Sequence, residues 1–270
     1  MDGTVAVVTG AGQGIGAGIA RRYAREGATV VVADIDAARG EEVAAGLADL
    51  GGKGLFVATD VTRKADVEEM VATAVERLGR IDVVVNNAIA LSPNVGLEDK
   101  SDEMLELLLG VGLWPVWWSM HAAFPAMRRQ GGGRIINLYS MDADMGAWTH
   151  ADYNTVKGGV GALTRSAATE WARFNILVNA IAPIAATQNY EAMVEANPWV
   201  ADEIAAMIPL GRIGLPEDDI GPVAVFLATN DSRYVTGATI PVDGGLHLPR
   251  VNTKPRDPAF FAADAPEVSS

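Results

Sequence analysis

The segment that most constrains this chain is an eight-residue run, Thr9-Gly10-Ala11-Gly12-Gln13-Gly14-Ile15-Gly16. It follows Val5-Ala6-Val7-Val8, a β-branched run that reads as a buried parallel strand, and it opens a helical pattern over about residues 15–26 that stops at Gly27. Glycines let the backbone turn tightly and come close to a ligand. A helix N-terminus adds unbonded N–H groups and the positive end of the helix dipole. Strand, glycine turn and helix in this order form a cradle for a pyrophosphate, with Gly10, Gln13, Gly14, Ile15 and Gly16 around it. Residues 29–33 form a second buried strand, and Asp34 ends it, 18 residues after Gly16. A carboxylate there accepts hydrogen bonds from both ribose hydroxyls of an adenosine and repels a 2′-phosphate. No arginine lies in the turn or just after Asp34; Arg39, the nearest, is expected on the surface of the next helix. The pattern points to a dinucleotide, and to NAD rather than NADP.

The alternation continues. Helical patterns cover about residues 37–50, 65–78, 102–129 and 152–174, and strand patterns cover 55–59, 81–85, 134–138, 176–181 and 239–242. Repeated strand-helix-strand units predict a doubly wound parallel sheet of Rossmann type with helices on both faces. No linker divides the chain, so one α/β domain is expected over residues 1–248, with an extension over 249–270. Residues 184–216 break the rhythm and carry Pro198, Pro209 and Pro216; a segment this long is expected to be a lid or binding segment. Tyr190, Met193, Trp199 and Met207 make it apolar and aromatic, which suits a bulky or ring-containing substrate. The tail holds Pro249, Pro255, Pro258 and Pro266, with Phe260-Phe261 either anchoring it on the body or a neighbouring subunit, or leaving it without fixed structure.

Composition removes several function classes. There is no cysteine, so disulfides and thiolate chemistry are excluded. A net charge of -13 repels phosphate backbones and anionic lipid, so neither nucleic acid nor membrane is an expected partner. No apolar run reaches the ~20 residues that cross a bilayer, and the start lacks the basic region of a signal peptide. The expected location is cytoplasmic. His121, His150 and His247 are scattered, with no HExxH or EF-hand string, so no metal site is expected.

Further motifs join the glycine turn. Tyr153-Asn154-Thr155-Val156-Lys157 places a tyrosine and a lysine one turn apart on one helix face. Ser140 precedes Tyr153 by 13 residues, and Val235-Thr236-Gly237 and Val242-Asp243-Gly244-Gly245 stand near the end. In this order the motifs resemble those of the short-chain dehydrogenase/reductase family, over about residues 4–247. Free tyrosine titrates near ~10, and a nearby ammonium is expected to pull Tyr153 down toward neutrality. The resemblance implies that Tyr153 is the catalytic acid/base, that Ser140 holds the substrate oxygen, and that Lys157 also binds the nicotinamide ribose. It implies adenine contacts from Asp60 and Val61, ribose contacts from Asn87 and Ala88, and carboxamide contacts from Pro183 and Thr187. It further implies hydride transfer between NAD and a secondary alcohol or ketone, in a dimer or tetramer.

Three positions depart from the family pattern. Ile89 and Ile184 stand where glycine is usual, and Gly112 falls where the family has the asparagine of a proton relay. An extra water in place of that side chain would leave an altered or slower relay. Two other functions fit these changes: a non-catalytic dinucleotide-binding subunit, or epimerisation or dehydration with the same cofactor. Trp114, Trp117 and Trp118 are expected to pack in the core or at a subunit interface. Asp142, Asp144 and His150 either line the substrate mouth or lie on the solvated surface.

Overall fold

In the computed structural model, which describes residues 1–248, seven parallel strands form one sheet in the order β3-β2-β1-β4-β5-β6-β7. The strands are β1 (Val5–Thr9), β2 (Thr29–Asp34), β3 (Lys53–Ala58), β4 (Val83–Asn86), β5 (Gly133–Leu138), β6 (Ile176–Pro183) and β7 (Thr239–Val242). Between them run α1 (Gly14–Arg25), α2 (Ala37–Gly46), α3 (Lys64–Leu78), α4 (Asp102–Gly112) and α5 (Trp114–Arg129). They are followed by α6 (Asp142–Met145), α7 (Ala151–Trp171), α8 (Gln188–Ala196), α9 (Trp199–Met207) and α10 (Gly221–Ala228). The 249–270 extension, with Phe260-Phe261, lies outside the described residues.

The period of two along the strands divides the core. Ala6, Val8, Val30, Val32 and Val85 face one layer with α1, α2 and α10. Val5, Val7, Val31, Val84 and Ile135 face the other, with α3, α5 and α7. Both faces are covered, which is why the strands read as continuous apolar runs. The strand order reverses between β1 and β4, and the crevice beyond their C-terminal ends is where ligands bind in such sheets.

Two sequence expectations change. The single helical pattern over 102–129 is two helices, because Pro115 lacks an N–H and its ring clashes with the carbonyl one turn earlier. That stretch, Asp102–Arg129, is also long and apolar enough by composition to cross a membrane, although its apolar residues are interrupted. Here its inner side packs on α3, α7, β4 and β5. The long 184–216 segment is not an open loop either. It holds α8 and α9, each nine residues, separated by Asn197-Pro198.

Candidate active site

The glycine turn links β1 to α1 at the reversal point. Gly14 has φ +54°, the left-handed conformation that favours glycine. A Cβ on Gly16 would lie 2.3 Å from the Gly10 carbonyl oxygen and 2.5 Å from Asn87 Nδ2, so only glycine fits there. Gln13 caps α1 with extended backbone and no side-chain bond to the helix end. The first N–H groups of α1 therefore face outward, open to an anion. Ile15 packs its side chain on the core.

Asp34 faces this turn. Its Oδ2 accepts from Gly12 N at 2.7 Å and its Oδ1 from Asp36 N at 2.9 Å. Asp36, not Asp34, caps α2, accepting from Arg39 N at 3.1 Å. Arg39 is exposed, as expected, but reaches back across the turn: Nη1 donates to Gln13 Oε1, and Nε lies 3.3 Å from Asp36 Oδ2.

Several expected contacts are already engaged within the protein. Asn87 Nδ2 donates to the carbonyls of Thr9 (2.8 Å) and Gly10 (3.1 Å), and Ala88 N donates to Thr9 Oγ1 (3.1 Å). Asn87 thus braces the cradle with its amide nitrogen. Asp60 Oδ1 accepts from Thr62 N (3.0 Å) and Oγ1 (2.7 Å), holding the turn into α3, and Val61 packs on the core. Pro183 ends β6. Thr187 folds back so that its Cγ2 would lie 3.4 Å from a Cβ on Gly14, which brings the start of α8 over the turn.

The second half of the site lies at the end of β5 and the start of α7. Lys157 is buried, and its Nζ donates to the Leu138 carbonyl at 2.6 Å and sits 5.7 Å from the centre of the Tyr153 ring. Burial brings its ammonium down to about 8. Tyr153 does not titrate toward neutrality. Burial pushes its hydroxyl up to about 12, the Asp142 carboxylate pushes the same way, and a hydrogen bond with Ser140 opposes them. The expected downward pull of Lys157 is not found, and desolvation, which penalises the phenolate, sets the direction. Ser140 Oγ also accepts from Asp142 N at 3.2 Å.

The departures at Ile89 and Gly112 are coupled. A Cβ on Gly112 would lie 2.7 Å from Val156 Cγ1 and 2.8 Å from Ile89 Cδ1. The space for a relay side chain is filled by apolar atoms, which also removes the expected gap for a water. Gly112→Asn should therefore cost about 1–3 kcal/mol by overpacking, and Ile89→Gly should relieve part of that loss. A double-mutant cycle in urea checks this: additive effects would show that the two positions do not share the space.

Two buried polar clusters were not foreseen. Lys100 Nζ binds Asp152 Oδ1 (2.9 Å), Ser92 Oγ (2.9 Å) and the Pro93 carbonyl (2.7 Å), with both charged side chains almost wholly buried. Asp152 Oδ1 accepts from Tyr153 N at 2.9 Å, so this pair ties the 88–100 segment to the catalytic helix. Burial pushes the Asp152 carboxyl up, but hydrogen bonds from Ser92, Lys100 and Tyr153 N and the Lys100 charge together hold it below the ordinary value. Its stabilisation is present at neutral pH and lost as pH falls through that lowered value. Lys100→Met leaves the carboxylate unpaired and should cost on the order of 3 kcal/mol at pH 7 in urea unfolding, less in acid. The second cluster joins Ser119 Oγ to Asn86 Oδ1 (2.6 Å), Asn86 Nδ2 to Asn137 Oδ1 (2.9 Å), and Asn137 Nδ2 to Thr164 Oγ1 (2.9 Å). An asparagine at or next to the C-terminal end of each of two buried strands was the available signal.

A doubly wound sheet with a glycine cradle, an acid bonded to it from the end of β2 and a serine–tyrosine–lysine group is the arrangement of a dinucleotide-binding oxidoreductase. A family model described as enoyl-(acyl carrier protein) reductase matches residues 10–247. A short chain dehydrogenase/reductase of Aspergillus oryzae is 38% identical over 253 residues, covering 92% of this chain and 96% of the relative. A 2,5-dichloro-2,5-cyclohexadiene-1,4-diol dehydrogenase of Sphingobium indicum is 33% identical over 245 residues, covering 91% and 96%. The solved structure of NAD+-bound xylitol dehydrogenase superposes with a TM-score of 0.85 at 31% identity, over 90% of this chain and 99% of that one. The chain belongs to the short-chain dehydrogenase/reductase family.

Proposed function

We propose that this chain is an NAD-dependent dehydrogenase/reductase for a secondary alcohol or ketone carried on a ring or another bulky frame. The observation that carries this reading is the grouping of Ser140, Tyr153 and Lys157 beside a cradle whose ribose side is guarded by Asp34. NAD supplies the hydride acceptor in oxidation and, when reduced, the donor. Ser140 holds the substrate oxygen by hydrogen bonding, and Tyr153 takes the hydroxyl proton or returns it. Lys157 supplies positive charge behind the Tyr153 ring and is placed to bind the nicotinamide ribose. Asp60, Val61, Asn87, Ala88, Pro183 and Thr187 border the remaining cofactor path.

The ring preference rests on two supports. Met145, Trp148, Met193, Trp199 and Met207 are exposed on the segment before Tyr153 and on α8–α9. A relative of similar length acts, by name, on a cyclohexadiene diol. The half-exposed Trp114 and Trp117 on α5 offer a seat for a second copy of the chain in a dimer or tetramer. The test is a panel of cyclic and acyclic secondary alcohols with NAD and NADP, followed by formation of the reduced cofactor. Turnover of ring alcohols with NAD is the expected result. Tight NADH binding without turnover of any alcohol would instead favour a non-catalytic subunit, the reading that the filled site at Gly112 supports.

A further inference from the structure

A tyrosine that accepts a proton in each oxidation must pass it on before the next. On the Lys157 side that passage is closed. Lys157 is 4% exposed and bonded to a carbonyl, and the position at Gly112, where a relay side chain was expected, is packed by Val156 and Ile89. On the opposite side stands a titratable pair that the family reading leaves without a role. Asp142 Oδ2 and His150 Nδ1 are 3.1 Å apart, and each side chain is about one-third exposed, at 33% and 35%. A carboxylate only accepts, so Nδ1 carries the hydrogen and Nε2 is left as the basic nitrogen. The His150 ring meets the Tyr153 ring edge-on, with centroids 5.9 Å apart, so the imidazole stands next to the tyrosine. Asp142 is also joined to the reacting groups through its N–H to Ser140 Oγ. Neighbouring acids do not compete for the imidazole, since Asp144 is held by Tyr139 Oη at 2.8 Å and Asp152 by Lys100.

We propose that Asp142 and His150 form the proton exit of this site, taking the substrate's proton from Tyr153 to solvent. The inference rests on the oxidoreductase reading above. In oxidation the alcohol O–H bond breaks and its proton goes to the oxygen of the Tyr153 phenolate, while the C–H electron pair leaves with hydrogen as hydride to NAD. The Tyr153 proton then passes to His150 Nε2, forming an imidazolium held by Asp142, and from there to water. Reduction runs the same path inward. Imidazole suits this because one ring nitrogen can donate to Asp142 while the other accepts.

The test uses the full-length protein and an alcohol that the wild type oxidises. His150 makes no capping bond to α7 with its side chain, so His150→Ala is expected to keep the fold and NADH affinity. Its kcat at neutral pH should fall about tenfold or more, and added free imidazole should restore it. His150→Gln should show the same loss with a larger solvent deuterium effect on kcat. Unchanged kcat in both variants overturns the proposal. So does a loss that imidazole does not restore while Tm and NADH binding are kept. Should His150→Ala lower Tm, His150→Gln decides, and an unchanged solvent effect there overturns the exit. No turnover by the wild type, or full turnover by Tyr153→Phe, would overturn the oxidoreductase reading itself; an active, Tyr153-dependent enzyme that ignores His150 overturns only the exit.

Discussion

Tyr153→Phe should lower kcat by about 10²–10⁴-fold, the usual worth of a positioned acid/base, and leave NADH binding unchanged. Only the hydroxyl is removed: the ring keeps its place over Lys157 and beside His150. Fluorescence titration with NADH and the rate of alcohol oxidation check the two halves separately. Loss of both together would mean that the hydroxyl is needed to hold the cofactor, so that the rate loss no longer identifies the acid/base. The pH dependence has a definite sign. With its hydroxyl at about 12, Tyr153 is protonated at neutral pH and is a ready donor for ketone reduction. Oxidation needs the phenolate, whose share rises as pH climbs toward that value. Wild-type oxidation should therefore rise across the alkaline range while reduction does not, except so far as the positive charge of oxidised NAD brings Tyr153 down.

How much of this was legible depends on how local each cause is. The β1–turn–α1 unit was readable because the strand's apolar run and the four glycines act within 12 residues, from Val5 to Gly16. The sheet was readable because every buried strand repeats the same pattern and crossover handedness limits the topology. Asp34 was placed correctly against the turn, whereas the reach of Arg39 to Gln13 depends on a rotamer that no pattern encodes. The α8 and α9 helices escaped because nine-residue segments with prolines nearby carry little periodicity. Ile89 and Gly112 were each visible as departures, but their compensation is a contact between distant segments. Lys100 and Asp152 meet across 52 residues, and nothing near either marks a buried pair. The titration of Tyr153 was misjudged for a related reason. Spacing shows that a lysine is near, but whether desolvation outweighs its charge is settled only by packing.

Asp34→Ser should have the second large effect, on the choice of cofactor. In the wild type the carboxylate is fixed by Gly12 N and Asp36 N, so it cannot swing away from a 2′-phosphate. Two unit charges about 4 Å apart interact by about 1 kcal/mol in water and about 4 kcal/mol at an effective dielectric of 20. That corresponds to roughly a fivefold to several-hundredfold preference for NAD over NADP. Serine removes the repulsion and shortens the hydrogen bonds' reach to the ribose hydroxyls, so NADH should bind more weakly and NADPH more tightly. Arg39 supplies the check on mechanism. Its guanidinium is exposed and already lies over the turn at Gln13, next to Asp36, where a 2′-phosphate released from repulsion would meet it. The gain in NADPH affinity should therefore shrink in the Asp34→Ser, Arg39→Gln double variant, while NADH affinity changes little further. Equal Kd values for NADPH in the single and double variants would remove Arg39 from the account. Unchanged selectivity in Asp34→Ser would remove Asp34 as the discriminator, and with it the assignment of NAD.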